Sequence, residues 1–192
     1  MHSMIQLHVS KTLASDLKPF LIEASVDPQA MQWYAHRVLI LRRKCVIAME
    51  LNSRYAILFP ALVKKDFKEF SEIFRMRLVN EAVSVCAKAE PATEKIAALA
   101  LLISEQIQIH PGSDRSVQAH INDVARELDW MARDIGRLPE TNEEAFGFGL
   151  RVNLSYRRRK QDKDYFIPFE RFRDFWLGAL KFMDSRGHEP LH

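Results

Sequence analysis

Residues Met31 to Val63 read MQWYAHRVLILRRKCVIAMELNSRYAILFPALV. Three apolar runs, Val38-Leu39-Ile40-Leu41, Cys45-Val46-Ile47-Ala48-Met49 and Tyr55-Ala56-Ile57-Leu58-Phe59, are rich in β-branched and aromatic residues. Between them, Arg42-Arg43-Lys44 and Asn52-Ser53-Arg54 are polar and short enough to be hairpin loops. The stretch therefore reads as a three-strand meander. Runs that are apolar at nearly every position point to strands covered on both faces, with Ile47 and Leu58 at the centre. Such a sheet needs helices on both sides of it.

The flanking sequence supplies them. Ile5-Gln6-Leu7-His8-Val9 alternates as a half-buried strand does. Ser10 then caps a short helix carrying Leu13 and Leu17, which Pro19 stops. Leu21 to Gln29, with Asp27-Pro28, is a connector. Beyond the meander, Phe67, Phe70, Phe74 and Leu78 recur at spacings of three and four, an aromatic-faced helix over 64–87. Glu90-Pro91 breaks it, and an alanine-rich helix spans 92–102. Gln106-Ile107-Gln108-Ile109 alternates again, and Pro111-Gly112-Ser113-Asp114 turns into the longest helix, capped by Asp114 or Ser116. Its stripe of Val117, Ile121, Val124, Leu128, Met131 and Ile135 suits a helix packed on a sheet, with a coiled-coil seam as the alternative. Leu138 to Gly149 is expected to be a flexible loop, Leu150 to Tyr156 a strand, Arg157 to Asp164 a charged turn, and Pro168 the start of a final helix.

The expected fold is α+β. A mixed or mostly antiparallel sheet of five to six strands, built on the meander at about 31–63, is packed by four to five helices. Residues 1–185 form a single domain with a flexible loop at 138–149, and 186–192 form a frayed tail. The 192 residues suffice for one full core. Hydrophobic and charged fractions of 47% and 28% are those of an ordinary globular protein. No apolar run approaches the ~20 residues of a membrane span. The N-terminus lacks a basic region followed by an apolar core, so no secretory signal is expected, and Met4 is as good a start as Met1. Two cysteines, Cys45 and Cys86, do not make a disulfide framework and read as reduced, buried thiols of a cytoplasmic protein.

The net charge of +3 does not by itself imply a polyanion partner, but its distribution is uneven. Arg151 to Arg173 holds eight Lys/Arg against three Asp/Glu, so the rest of the chain is slightly acidic. Within that segment Arg157, Arg158, Arg159 and Lys160 lie between Tyr156 and Tyr165-Phe166, basic residues for phosphates beside rings for unpaired bases. Arg42, Arg43 and Lys44 at the first hairpin offer guanidinium forks to phosphate or carboxylate. Charged tips and turns are equally the ordinary means of keeping a chain in solution. His120, Asp123 and Glu127 share one side of the long helix with Asp134. They are the candidates for a divalent metal or for acid–base work, against a solvated face or pairing with the Arg157–Lys160 turn. His36 reads as a hydrogen-bonded, partly buried residue. Phosphate-binding glycine loops, Cys-x-x-Cys, His-Glu-x-x-His and Gly-x-Ser-x-Gly are all absent.

Ser10-Lys11, Trp33 with Ala35, Arg42-Arg43-Lys44-Cys45, Arg54-Tyr55, Asp66-Phe67, Arg115-Ser116-Val117 and Asn122-Asp123 occur in a telling order. Together they resemble a family of small bacterial proteins known only as a domain of unknown function. The resemblance covers about Met4 to Asp134 and, more loosely, Asn153 to Leu180. The 138–149 segment is longer than that family's pattern implies. The resemblance implies a single mixed domain in a bacterial cytoplasm and no particular activity.

The functional expectation is a noncatalytic binding module that contacts nucleic acid or an acidic protein surface through the basic turn. No cofactor is expected. The alternatives are a structural or homo-oligomeric protein whose ion pairs are internal, and a metal-assisted hydrolase using the His120 face.

Overall fold

The computed structural model describes residues 4–23, 25–87 and 93–186. Strand β1 (Met4–Val9) leads through helix α1 (Lys11–Asp16) and a 3₁₀ turn (Lys18–Phe20) into the meander β2 (Met31–Ile40), β3 (Arg43–Glu50) and β4 (Ala56–Leu62). Helices α2 (Lys64–Lys68), α3 (Phe70–Cys86) and α4 (Thr93–Ile103) precede β5 (Gln106–Pro111). Three more follow: α5 (Arg115–Ile135), α6 (Asn142–Asn153) and α7 (Pro168–Arg186). The five strands form one mixed sheet in the order β4-β3-β2-β1-β5. The meander is antiparallel, whereas β1 runs parallel to both β2 and β5. The α+β expectation holds, with seven α-helices among the described residues instead of four or five.

The hairpins are tighter than the polar triplets suggest. Arg43 and Lys44 belong to β3, Ile40 pairs with Arg43, and the turn is Leu41-Arg42 alone, at φ 46° and 63°. Two left-handed residues match the twist of the strands they join, which is why the turn is so short. A bulge sets Pro60 and Ala61 of β4 against Cys45, where the register shifts between Lys44 and Val46.

Both faces of the meander are buried. On one, Val46, Ala48, Ile57 and Phe59 join Ile5, Leu7 and Trp33 under α3, α4 and α7, around Phe74, Leu78, Leu99, Phe172 and Trp176. On the other, Cys45, Ile47, Met49 and Leu58 meet Val117, Ile121, Val124 and Leu128 of α5 and Phe148 and Val152 of α6. Ile47 and Leu58 are buried as expected, and α5 is a helix packed on a sheet.

Three expectations need correction. The aromatic-faced helix over 64–87 is interrupted at Glu69, giving α2 and α3, although Phe67, Phe70, Phe74 and Leu78 all face the core. The segment 138–149 is not a loop through its length, and 150–156 is not a strand: α6 runs through both. Thr141 caps α6, accepting from Glu144 N at 3.1 Å, so Thr-x-x-Glu outweighs Gly147 and Gly149 as a helix signal. Gly149 faces β4, where a Cβ would make only an ordinary contact, 3.8 Å from the Ala56 carbonyl. Asp114 is the cap of α5, accepting from Val117 N at 2.8 Å, and left-handed Gly136 ends that helix. The expected break at Glu90-Pro91 and the tail over 187–192 lie outside the described residues.

Candidate functional site

The cationic residues singled out from the sequence lie in two separate places, and half of the turn is built into the fold. Arg157 is 7% exposed, and its backbone exchanges two 2.8 Å hydrogen bonds with Phe166. Arg159 donates to Asp162 at 2.8 Å and to Asn52 at 3.2 Å, while Arg171 reaches Asp162 at 3.2 Å. These bonds hold the Asp162 carboxyl well below the usual range. Only Arg158, above the Tyr165 ring, and Lys160 remain exposed. At the first hairpin, Lys44 pairs with Asp16 at 2.6 Å and lies over the Phe67 ring, leaving Arg42 and Arg43 to solvent.

The first hairpin does not meet the His120 face. Arg43 and Leu41 line a groove of about 830 Å³ with Arg137, just beyond the C-terminal end of α5. His120 lies in the first half of α5, beyond Ser116, which contacts Arg54 at the other end of β3. Three of the charges lining the groove are paired: Arg137 with Glu144, Arg77 with Glu81, and Glu72 with Arg75. Asp123 is bonded to Arg126. Burial and the guanidiniums of Arg157 and Arg54 lower the His120 pKa, surroundings that repel a divalent cation. Among the described residues no group of three or more His, Cys, Asp or Glu is arranged to hold a metal.

The site that sequence reasoning missed is half a sheet face. Register puts Gln6 level with Gln32 and Gln108, and His8 level with Tyr34 and His110. On the opposite face the same three strands present Ile5, Leu7, Val9, Trp33, Ala35, Ile107 and Ile109. On the α5 side, Gln6, His8, Gln32, Tyr34, His36, Gln108 and His110 are all polar. Alternation within each strand signals the polar side. It does not say that three such sides meet and become buried, as Gln6, His8, Gln32 and His110 are.

Burying polar groups is tolerable when they are bonded, and most of these are. Gln32 Nε2 donates to Gln6 Oε1 at 3.0 Å and to the Asp27 carbonyl at 2.6 Å. Gln6 donates to the Ser25 carbonyl at 3.2 Å and accepts from Asp27 N at 2.8 Å, so these two residues of the connector are tied down over the strands. The Gln32 amide nitrogen being a donor, its oxygen accepts from His8 Nε2 at 2.5 Å. His8 also stacks on Tyr34, 4.8 Å between centroids. His36 Nδ1 meets Ser10 Oγ at 2.7 Å, the partly buried bonded role expected for it.

His110 is the exception. It is 4% exposed, and among the described residues neither ring nitrogen has a well-formed hydrogen bond. Burial and neighbouring His8, 5.7 Å away, lower its pKa against an opposing pull from the Ile22 backbone. It lines a shallow, open depression of about 420 Å³ with Ile22, Glu23, Ser25 and Pro111.

From His8 the polar line continues through Tyr34 toward the start of α5. Burial and Asp114 raise the Tyr34 pKa, while Arg54 lowers it. Arg54, 2% exposed at φ 59°, donates Nη2 to Ser116 Oγ at 3.0 Å. Among the described residues its Nε and Nη1 are buried without a partner, as are Arg157 Nε and His120 Nδ1.

Residues 6–171 match the model of a protein family described as "Domain of unknown function (DUF6933)". No curated protein matches the chain.

Proposed function

Because the chain belongs to the family described as Domain of unknown function (DUF6933), no activity comes with its membership, and we propose from the geometry that it is a noncatalytic binding module for a small polar ligand, seated on the polar half of the sheet. One observation carries the reading: His110 is buried at the carboxyl end of β5 with neither ring nitrogen well bonded among the described residues, beside a shallow open depression. A native buried polar group in that state calls for a partner from outside. A seat there agrees with a general habit of sheets containing parallel strands. Ligands bind outside the carboxyl ends of such strands, where neighbouring connections part. Here β1 connects through α1 to β2 on one side, while β5 flanks it on the other.

The partners expected from the charge run, nucleic acid or an acidic protein, would find two exposed cations at each of two separate places. That is a weaker attachment than seven clustered ones. The free, buried thiols of Cys45 and Cys86 suit a reducing cytoplasm, which we take as the compartment. Among the described residues no helix is long and apolar enough to cross a membrane.

The test is a thermal-shift screen of small polar metabolites and an oligonucleotide on three proteins: wild type, His110→Leu, and Arg158→Ala/Lys160→Ala. Stabilisation by small molecules is expected to vanish in His110→Leu and survive in the double variant. No stabilising small molecule, or stabilisation that follows Arg158 and Lys160, overturns the reading.

A further inference from the structure

Four residues surround the first turns of α5, and three of them carry buried nitrogens that nothing among the described residues satisfies: Nε and Nη1 of Arg54, Nε of Arg157 and Nδ1 of His120. Among the described residues neither Arg54 nor Arg157 is in a salt bridge. The fourth, Ser116, is exposed and holds Arg54 through its hydroxyl, so the group opens to solvent at that residue. Carboxylates are near enough to be felt, Asp114, Glu50 and Asp162 by Arg54, and Asp123 and Glu127 by Arg157. However, Asp114 is spent on the α5 cap, Glu50 on Ser53, Asp162 on Arg159 and Arg171, and Asp123 on Arg126, which leaves Glu127 beside Arg157 without a salt bridge to it. Two buried guanidiniums that both press on one imidazole, at the positive end of a 21-residue helix, thus have no carboxylate in direct contact among the described residues.

We propose that the ligand carries a phosphate group and that Arg54, Ser116, His120 and Arg157 hold it at the first turns of α5. This rests on the binding module argued above, since Tyr34 joins the two places, stacked on His8 and within the field of Arg54. Phosphate fits better than carboxylate because three oxygens can share two guanidinium forks, a hydroxyl and an imidazole N–H, whereas a carboxylate has two. Helix N-termini are also habitual phosphate seats.

The probes are inorganic phosphate and glycerol phosphate, added to the full chain at constant ionic strength set with chloride. Both should raise Tm saturably, the ester at lower concentration because the rest of it reaches the polar half-face; chloride alone should not. Arg54→Met should abolish both shifts. Ser116→Asp, which sets a carboxylate against Arg54, should raise Tm in phosphate-free buffer and remove the response to phosphate. No saturable shift with either probe, or a shift that persists in both variants, overturns the proposal. Polar compounds that bind through His110 while phosphate does not would sink the phosphate seat alone. A phosphate shift lost in Arg54→Met, with no His110-dependent ligand found, would sink the wider binding reading and leave the anion seat.

Discussion

Asn153, the last residue of α6, pairs its side-chain amide with both backbone groups of Ala56 at the outer edge of β4. It donates Nδ2 to the carbonyl at 2.8 Å and accepts the N–H at 2.7 Å. One amide thus stands in for a neighbouring strand where the sheet ends. Both residues are fully buried, so water cannot replace the bonds. Asn153→Ala should destabilise by about 2–4 kcal/mol, two buried groups losing their partners at about 1–3 kcal/mol each. Urea unfolding would check it, and a loss under about 0.5 kcal/mol would show the edge to be wet.

Arg77, Glu81 and Tyr55 form a buried group between α3 and β4. Arg77 Nε donates to Glu81 at 2.8 Å and the Tyr55 hydroxyl donates to Glu81 at 2.6 Å. Burial raises the Glu81 pKa against the pull of Arg77. Glu81→Leu alone strands a buried guanidinium and should cost about 3–5 kcal/mol, whereas Arg77→Met/Glu81→Leu should recover much of that. A double variant as unstable as the single would mean the pair itself, and not its breaking, matters.

Arg157→Met should raise Tm in buffer free of phosphate, because it removes a buried charge without an ion pair while keeping the chain volume. Arg158→Ala, at an exposed position, should leave Tm nearly unchanged. A marked fall with Arg157→Met would show that Asp123 and Glu127 already satisfy it.

Stability should fall as pH drops below about 6.5. The pKa values of His36, His110 and His120 are lowered in the fold, chiefly by burial, from an ordinary value near 6.5. The unfolded chain then takes up protons that the folded one refuses, so stability rises with pH up to that value and is lost below it. The facing charges are Arg37 for His36, and Arg157, Arg54 and Asp123 for His120; His110 faces His8. Melting curves from pH 8 to pH 5 should show the decline, and His110→Gln should make it shallower. A flat profile would contradict it.

The meander was legible because its runs carry their own pattern, and so was the aromatic face of α3. The α6 helix was not. Its two glycines and paired glutamates imitate a loop, and the Thr141 cap is a quieter signal than either. The candidate site was least legible of all. Gln6, His8, Gln108 and His110 each look like the solvent side of a half-buried strand, and only the pairing of residue 6 with residue 108 brings them together. Conversely, Arg157 and Arg159 looked like a surface charge run because nothing local announces the Phe166 bridge or the Asp162 partner.

The parallel pairing of β1 with β5 also has a temporal side. Gln6 and Gln108 are 102 positions apart, whereas the meander closes through turns of a few residues. Short loops close sooner than long ones. On a growing chain, β1 can find β2 early but waits for most of the polypeptide before its other edge is filled. Pulse-labelled hydrogen exchange should accordingly find the amides of β3 protected before those of β5. The two histidines would then meet only as the sheet closes, so ligand competence would be the last property the nascent protein acquires.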